Sequence, residues 1–249
     1  MTQDRDYSAP YGSAIYGKPP YYMTEAQMIR VTYRVDPDAA QAALPPELEF
    51  VGDTAMAFIG QMTQLPHCGR FHEGGISLRV RHGDTEGLIA ANLFTSSDTS
   101  LLVGREVYGM TKLLCDDTPL EWAGNEIRGT LQRMGQALFS INFNVEARRP
   151  PTELGQTPTA KFMATPRLGV RIIPDPSLET TATHEVIRAE LHDVALAELL
   201  EGTATIRFGF PAFSDLAALA PVDKGPFEGA FVRGSWTLDR ATIIGRFVH

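Results

Sequence analysis

Apolar and polar positions alternate along much of the chain. The segment 76–83 does so strictly, with Ile76, Leu78 and Val80 on one face and Ser77, Arg79 and Arg81 on the other, the period-two signature of a strand. The turn-forming residues 84–87 and the apolar run 87–94 follow, so the two segments are predicted to form a hairpin. Further strands are predicted over 28–35, 54–65, 119–123, 126–134, 136–147, 160–173, 184–197 and 203–209, and the C-terminal stretch reads as paired strands. Helical signals are few. Asp36 is placed to cap a helix with Pro37 in its first turn, and Pro45 and Pro46 end it; 213–220 predicts a short helix. Residues 96–114 are punctuated by glycine and show no clean period. Residues 1–24, rich in Pro, Tyr and Gly, predict an extended arm. Regular βαβ alternation is missing, so a mainly β fold is expected, an antiparallel sheet closed into a barrel or folded as a sandwich, with 1–249 forming a single domain.

Composition narrows the partners. Hydrophobic residues make up 43% and charged residues 21%, values of a globular chain with a sizeable core. The net charge of -8 repels nucleic acid and anionic membranes, so neither is expected as a partner. The two cysteines cannot build a disulfide framework, the first residues lack the pattern of a signal peptide, and no apolar run approaches the roughly 18 residues of a membrane helix. A cytoplasmic location is therefore expected. Nucleophile elbows, Walker loops, H-E-x-x-H and C-x-x-C motifs are all missing. His67, Cys68, His72 and Glu73 lie close together, but their spacing matches no standard zinc pattern, so no metal is expected.

Of the 22 basic residues, only Lys18, Lys112, Lys161 and Lys224 are lysines. Lys112 has the least polar surroundings, between Met110-Thr111 and Leu113-Leu114-Cys115. Apolar surroundings disfavour the charged form of an amine, and a neutral amine can attack a ketone to form an imine, which an arginine cannot do. The plainer reading is a lysine that snorkels from a strand edge over a packed stem.

The stretch from Gly104-Arg105-Glu106 to Lys112 resembles the active-site segment of the acetoacetate decarboxylase family, in which Gly-Arg-Glu precedes the Schiff-base lysine by about five residues. Residues 31–50 are similar to the family's N-terminal strand and helix, and Glu73 falls where the family carries an active-site glutamate. The likeness spans roughly residues 26–248. It implies a cone-like antiparallel β-barrel with a buried, largely apolar cavity, a homo-oligomer, no cofactor, and a small keto acid as substrate. Lys112 would form the Schiff base, and the reaction would be either decarboxylation of a β-keto acid or aldol condensation and dehydration from pyruvate. Glu73 would orient the substrate or move protons; the alternative is a solvated loop carboxylate. Glu106 would pair with an arginine and support the loop, or act directly. Tyr108 would line the pocket or simply pack, and Arg105 would bind a substrate carboxylate or form a structural ion pair. The sequence departs from the family at Leu113, where a second lysine is expected, and near Ala26 and Phe58–Ile59, where an arginine and a glutamate are expected. Arg105 is a candidate for the missing cation, and Arg30 and Gln61 for the missing polar groups. These departures keep a second reading open, a non-catalytic binder of small molecules on the same fold.

Overall fold

The computed structural model describes residues 14–117, 119–150, 153, 155, 157–209 and 215–247. The fold is mostly β, with 61% of residues in strands. The elements in chain order are β1 Tyr21–Arg34, α1 Pro37–Ala42, β2 Glu49–Leu65, β3 Gly69–His82, β4 Thr85–Thr95, α2 Asp98–Glu106, β5 Lys112–Leu114, β6 Glu121–Ala123, β7 Glu126–Arg133 and β8 Gln136–Arg148. Then come α3 Pro158–Ala164, β9 Arg167–Pro174, β10 Thr181–Ala189, β11 Leu191–Phe208, a 3-10 turn Asp215–Leu219, β12 Phe227–Leu238 and β13 Thr242–Arg246. They form one 13-stranded sheet in the order β13-β10-β9-β4-β3-β2-β1-β12-β11-β8-β7-β6, with β5 added to β4. Every pairing is antiparallel except those of β4 with β5 and with β9. Among the described residues β13 and β6 do not pair, so the ladder is an open path and the expected barrel closure is not seen.

Strand alternation gives the sheet two buried faces. Ile29, Val31 and Tyr33 of β1, Ala55, Ala57 and Ile59 of β2, and Ile76, Leu78 and Val80 of β3 point into one core. The intervening positions, Met28, Met62 and Phe71 among them, point into a second core. That second face is covered by α2 and α3, which contribute Val103 and Met163, and by Tyr16. The hairpin expected at residues 84–87 forms, with its two-residue turn at Gly83–Asp84 and His82 facing Thr85. The helix expected after Asp36 also forms; the Asp36 carboxylate accepts from the Asp38 and Ala39 amides at 2.9 and 3.0 Å. No helix among the described residues is long and apolar enough to cross a membrane.

Three expectations are corrected. Residues 160–173 are not one strand: α3 occupies the first half, because Thr157 caps the helix by accepting from the Ala160 amide and Pro158 fits its first turn, and β9 begins only at Arg167. The predicted strand 184–197 is two strands, β10 and β11, separated at Glu190. The N-terminal arm is part of the fold where it is described, since Tyr16 and Tyr21 are buried and β1 begins at Tyr21. Residues 1–13 of that arm, and the first two residues of the helix expected at 213–220, lie outside the described residues; the rest of that helix is a 3-10 turn.

Candidate active site

A cavity of about 140 Å³ lies on the second face of the sheet, beneath α2 and α3. Its wall is largely apolar, and six of the chain's eight methionines line it: Met23, Met28, Met56, Met62, Met110 and Met163. The charged residues on that wall are Glu73, Lys112 and Arg167.

Local structure explains how Lys112 reaches the cavity. Ser97 caps α2, its hydroxyl accepting from the Ser100 amide at 3.2 Å, and Asp98 in the first turn suits the positive end of the helix dipole. The helix ends at Glu106. Gly109 then adopts φ +60 and passes so close to β9 that a Cβ there would stand 2.7 Å from the Arg171 nitrogen, which leaves room only for glycine. The chain re-enters the sheet at Lys112, which pairs in parallel with Leu93.

The snorkelling reading is overturned, because Lys112 is only 6% exposed. Its Nζ donates to Ser100 Oγ at 2.7 Å and lies 2.6 Å from Glu73 Oε2, a charge contact rather than an aligned hydrogen bond. The Phe71 ring centroid is 5.9 Å away. Glu73 sits within β3, not on a solvated loop, and is largely buried. Gly104 of α2 packs against the lysine stem: a Cβ there would lie 2.5 Å from Lys112 Cδ and 2.8 Å from Cε.

The other sequence candidates divide. Tyr108 lines the cavity and also packs; its hydroxyl donates to the Asp239 carbonyl at 2.9 Å, and burial holds it well above the usual phenol range. Arg105 is exposed and donates to the Lys112 carbonyl at 3.1 Å, so it steadies the strand; it does not line the cavity and forms no ion pair among the described residues. Glu106 is not among the residues that line the cavity; its carboxylate accepts from the Tyr16 hydroxyl, while its backbone carbonyl accepts from Arg171 at 3.2 Å. The arginine expected beside Glu106 is thus present but holds its backbone. Arg30 is buried and donates to Thr159 Oγ1 at 2.6 Å, tying β1 to α3. Gln61 accepts from Arg70 at 2.7 Å and opens onto a separate polar groove. Neither replaces the missing polar groups: Phe58 leaves the wall apolar, and Ala26 is buried in the second core. Leu113 packs on the first core, across the sheet from its neighbour Lys112.

The cluster at 67–73 does not converge. His72 pairs with Asp117, Cys68 Sγ lies 3.1 Å from Ser97 Oγ, and the described residues hold no group of three metal-ligating side chains. Polar residues at the site that the sequence does not single out include Ser100, Arg167, Gln64 and Ser77. The amide nitrogen of Gln64 is buried on the cavity wall without a hydrogen-bond partner. Only Ser100 left a signal, as part of a serine-rich helix start.

A mostly β sheet whose covered face holds a buried lysine in an apolar cavity defines the class, and the chain belongs to the acetoacetate decarboxylase (ADC) family, whose model matches residues 7–246. It is 24% identical over 245 residues to an acetoacetate decarboxylase of Acidiphilium cryptum, covering 98% of this chain and 94% of the relative. The acetoacetate decarboxylase structure from Legionella pneumophila superposes with a TM-score of 0.85 at 18% identity, over 98% of this chain and 94% of that one. The enduracididine biosynthesis enzyme MppR complexed with pyruvate gives a TM-score of 0.78 at 21% identity, over 98% and 99%. These two likenesses show the fold.

Proposed function

We propose that this chain is a Schiff-base lyase that acts on a small keto acid, with Lys112 as its nucleophile. The observation that carries this reading is the Lys112 amine, buried in the wall of an apolar cavity between the Glu73 carboxylate at 2.6 Å and the Ser100 hydroxyl at 2.7 Å. Before the amine attacks, any proton on Nζ must leave, and Glu73 is placed to take it. Nζ then bonds to the substrate carbonyl carbon. The carbonyl oxygen leaves as water, using a proton that Glu73 returns, and an iminium cation remains. Ser100 fixes the lysine tip, and Arg105 fixes the backbone that carries it.

The iminium draws electrons from the neighbouring bond. With a β-keto acid the carbon–carboxylate bond breaks, CO2 leaves, and the electron pair forms an enamine that is protonated and hydrolysed. With pyruvate a methyl proton passes to a base, the enamine carbon attacks an aldehyde, and water is lost. Both routes need a proton carrier beside Nζ, and Glu73 is the one carboxylate on the described cavity wall. Relatives support each: curated relatives are acetoacetate decarboxylases, and MppR is seen with the condensation product of pyruvate and imidazole 4-carboxaldehyde.

The test is Lys112→Ala. The variant should keep its circular-dichroism spectrum and lose both CO2 release from acetoacetate and condensation of pyruvate with an aldehyde. Turnover retained by the folded variant would overturn the proposal. Saturable binding of keto acids by the unaltered chain, with no product from either reaction, would favour the non-catalytic binder instead.

A further inference from the structure

The cavity holds a second cation that the chemistry at Lys112 does not use. Arg167 begins β9 and lines the same wall. Its Nη1 donates to the Phe162 carbonyl at 3.2 Å and to the Thr165 carbonyl, and the guanidinium lies over the Phe162 ring, 4.7 Å from the centroid. Nε and Nη2 make no hydrogen bond among the described residues, and neither is sealed from open space as Arg30 Nε is. No carboxylate among the described residues pairs with Arg167. Part of the side chain reaches the cavity surface, yet protein encloses it closely enough that burial lowers its pKa to about 10. Holding the end of α3 accounts for Nη1 and the ring contact. It does not account for enclosing a guanidinium without a counter-charge, an arrangement that costs stability.

The sheet register places this cation relative to the lysine. Lys112 pairs with Leu93 and Arg167 with Leu88 on β4, and those two residues face Gly75 and Arg79 of β3. The two cations therefore stand four β3 residues apart, roughly 13 Å of backbone, and both side chains line one cavity. The methionines of that wall are flexible and shape themselves to apolar groups. Its volume of about 140 Å³ is close to that of an engineered apolar cavity that holds benzene, about 150 Å³, so the occupant is compact.

We propose that Arg167 binds an anionic group at the end of the substrate away from the carbonyl that meets Lys112, so that this site prefers, over pyruvate and acetoacetate themselves, compact keto acids with an apolar spacer of a few carbons between the two. This inference rests on the Lys112 reading above. The carboxylate held at Arg167 is a spectator: it orients the molecule, and bond changes occur beside the iminium at the other end. The resulting specificity is a preference for the acid over a neutral ketone of the same length.

Trp236 lies on the cavity wall, so its fluorescence can report occupancy. The probes are 5-oxohexanoate and its neutral counterpart 2-hexanone, titrated into the Lys112→Ala protein, which binds without forming an imine. The acid is expected to bind at least about tenfold tighter, the scale of a charge-assisted hydrogen bond. Adding Arg167→Met should bring the two affinities within about twofold by weakening the acid alone. Equal affinities with Arg167 in place would overturn the inference, as would a variant that weakens acid and ketone alike, since that is the signature of a structural role. The comparison with Arg167 present stands even if Arg167→Met fails to fold. Borohydride treatment of the unaltered protein with 5-oxohexanoate separates the two readings. A preference for the acid without a trapped adduct sinks Lys112 as nucleophile and leaves Arg167 as the anchor; an adduct without that preference sinks the anchor alone.

Discussion

Gly104 offers a test in which stability and chemistry are expected to move in opposite directions. It lies inside α2, where alanine is favoured over glycine by roughly 1 kcal/mol. Helix propensity alone would make Gly104→Ala stabilising. The Cβ, however, would stand 2.5 Å from Lys112 Cδ, and ordinary contact begins near 3.4 Å, so the stem must move by about 0.9 Å. Lys112 is not free to move without consequence, because Ser100 and Glu73 hold its tip. A flexible stem can yield without unfolding the helix, so the expected outcome is a melting temperature within a few degrees of the unaltered protein. The amine, in contrast, leaves its place between the hydroxyl and the carboxylate, and a misplacement of about 1 Å costs on the order of 100-fold in rate. The assay is the initial rate at which pyruvate or acetoacetate becomes fixed to the protein in the presence of borohydride, read by intact mass beside a thermal melt. A folded Gly104→Ala protein that is trapped at the unaltered rate would refute the reasoning that this glycine exists to seat the lysine.

Glu73→Gln should slow trapping by about 100-fold or more, the scale of a lost general base; a change below about threefold would remove Glu73 from the proton path. Ser100→Ala deletes one hydrogen bond to Nζ, worth about 1 kcal/mol, and is expected to slow trapping about fivefold with little change in the melt. Gln61→Ala should leave trapping within about twofold, since Gln61 opens onto the polar groove, and a larger loss would place it at the site after all. Asp36→Ala removes the cap of α1 and is expected to lower stability by about 1 kcal/mol in urea titration without touching the trapping rate.

Residue patterns carried the sheet well where one face is apolar and the other is not. Ile76, Leu78 and Val80 announced β3, and the Asp36-Pro37 pair announced α1, because both signals are local. The segment 160–173 carries a mixed signal because Phe162 and Met163 suit a buried strand as well as a buried helix; the deciding signal is the Thr157-Pro158 cap just before it. The strand pattern leaves barrel and sandwich open and family likeness implies the barrel, but no residue pattern reports whether β13 meets β6. At the site, Lys112 stood out through the scarcity of lysine and its apolar neighbours. Glu73 came from likeness alone, since its role depends on which face of β3 points under α2. Arg105 and Glu106 belong to the motif, yet Arg105 serves the backbone that carries Lys112 and the Glu106 carboxylate accepts from Tyr16. Arg167 was silent: it is one of many arginines, and only the pairing of β9 with β4 brings it to the cavity of Lys112. Ser100 was equally hidden, being brought to Nζ by the first turn of α2.

The most direct test of Lys112 as the nucleophile is borohydride reduction in the presence of pyruvate and, separately, of acetoacetate, with the modified residue mapped by peptide mass spectrometry. The expected result is a reduced adduct on Lys112, formed with at least one of the two acids and lost in Lys112→Ala. An adduct on Lys18, Lys161 or Lys224, or none on folded protein with either acid, would contradict it.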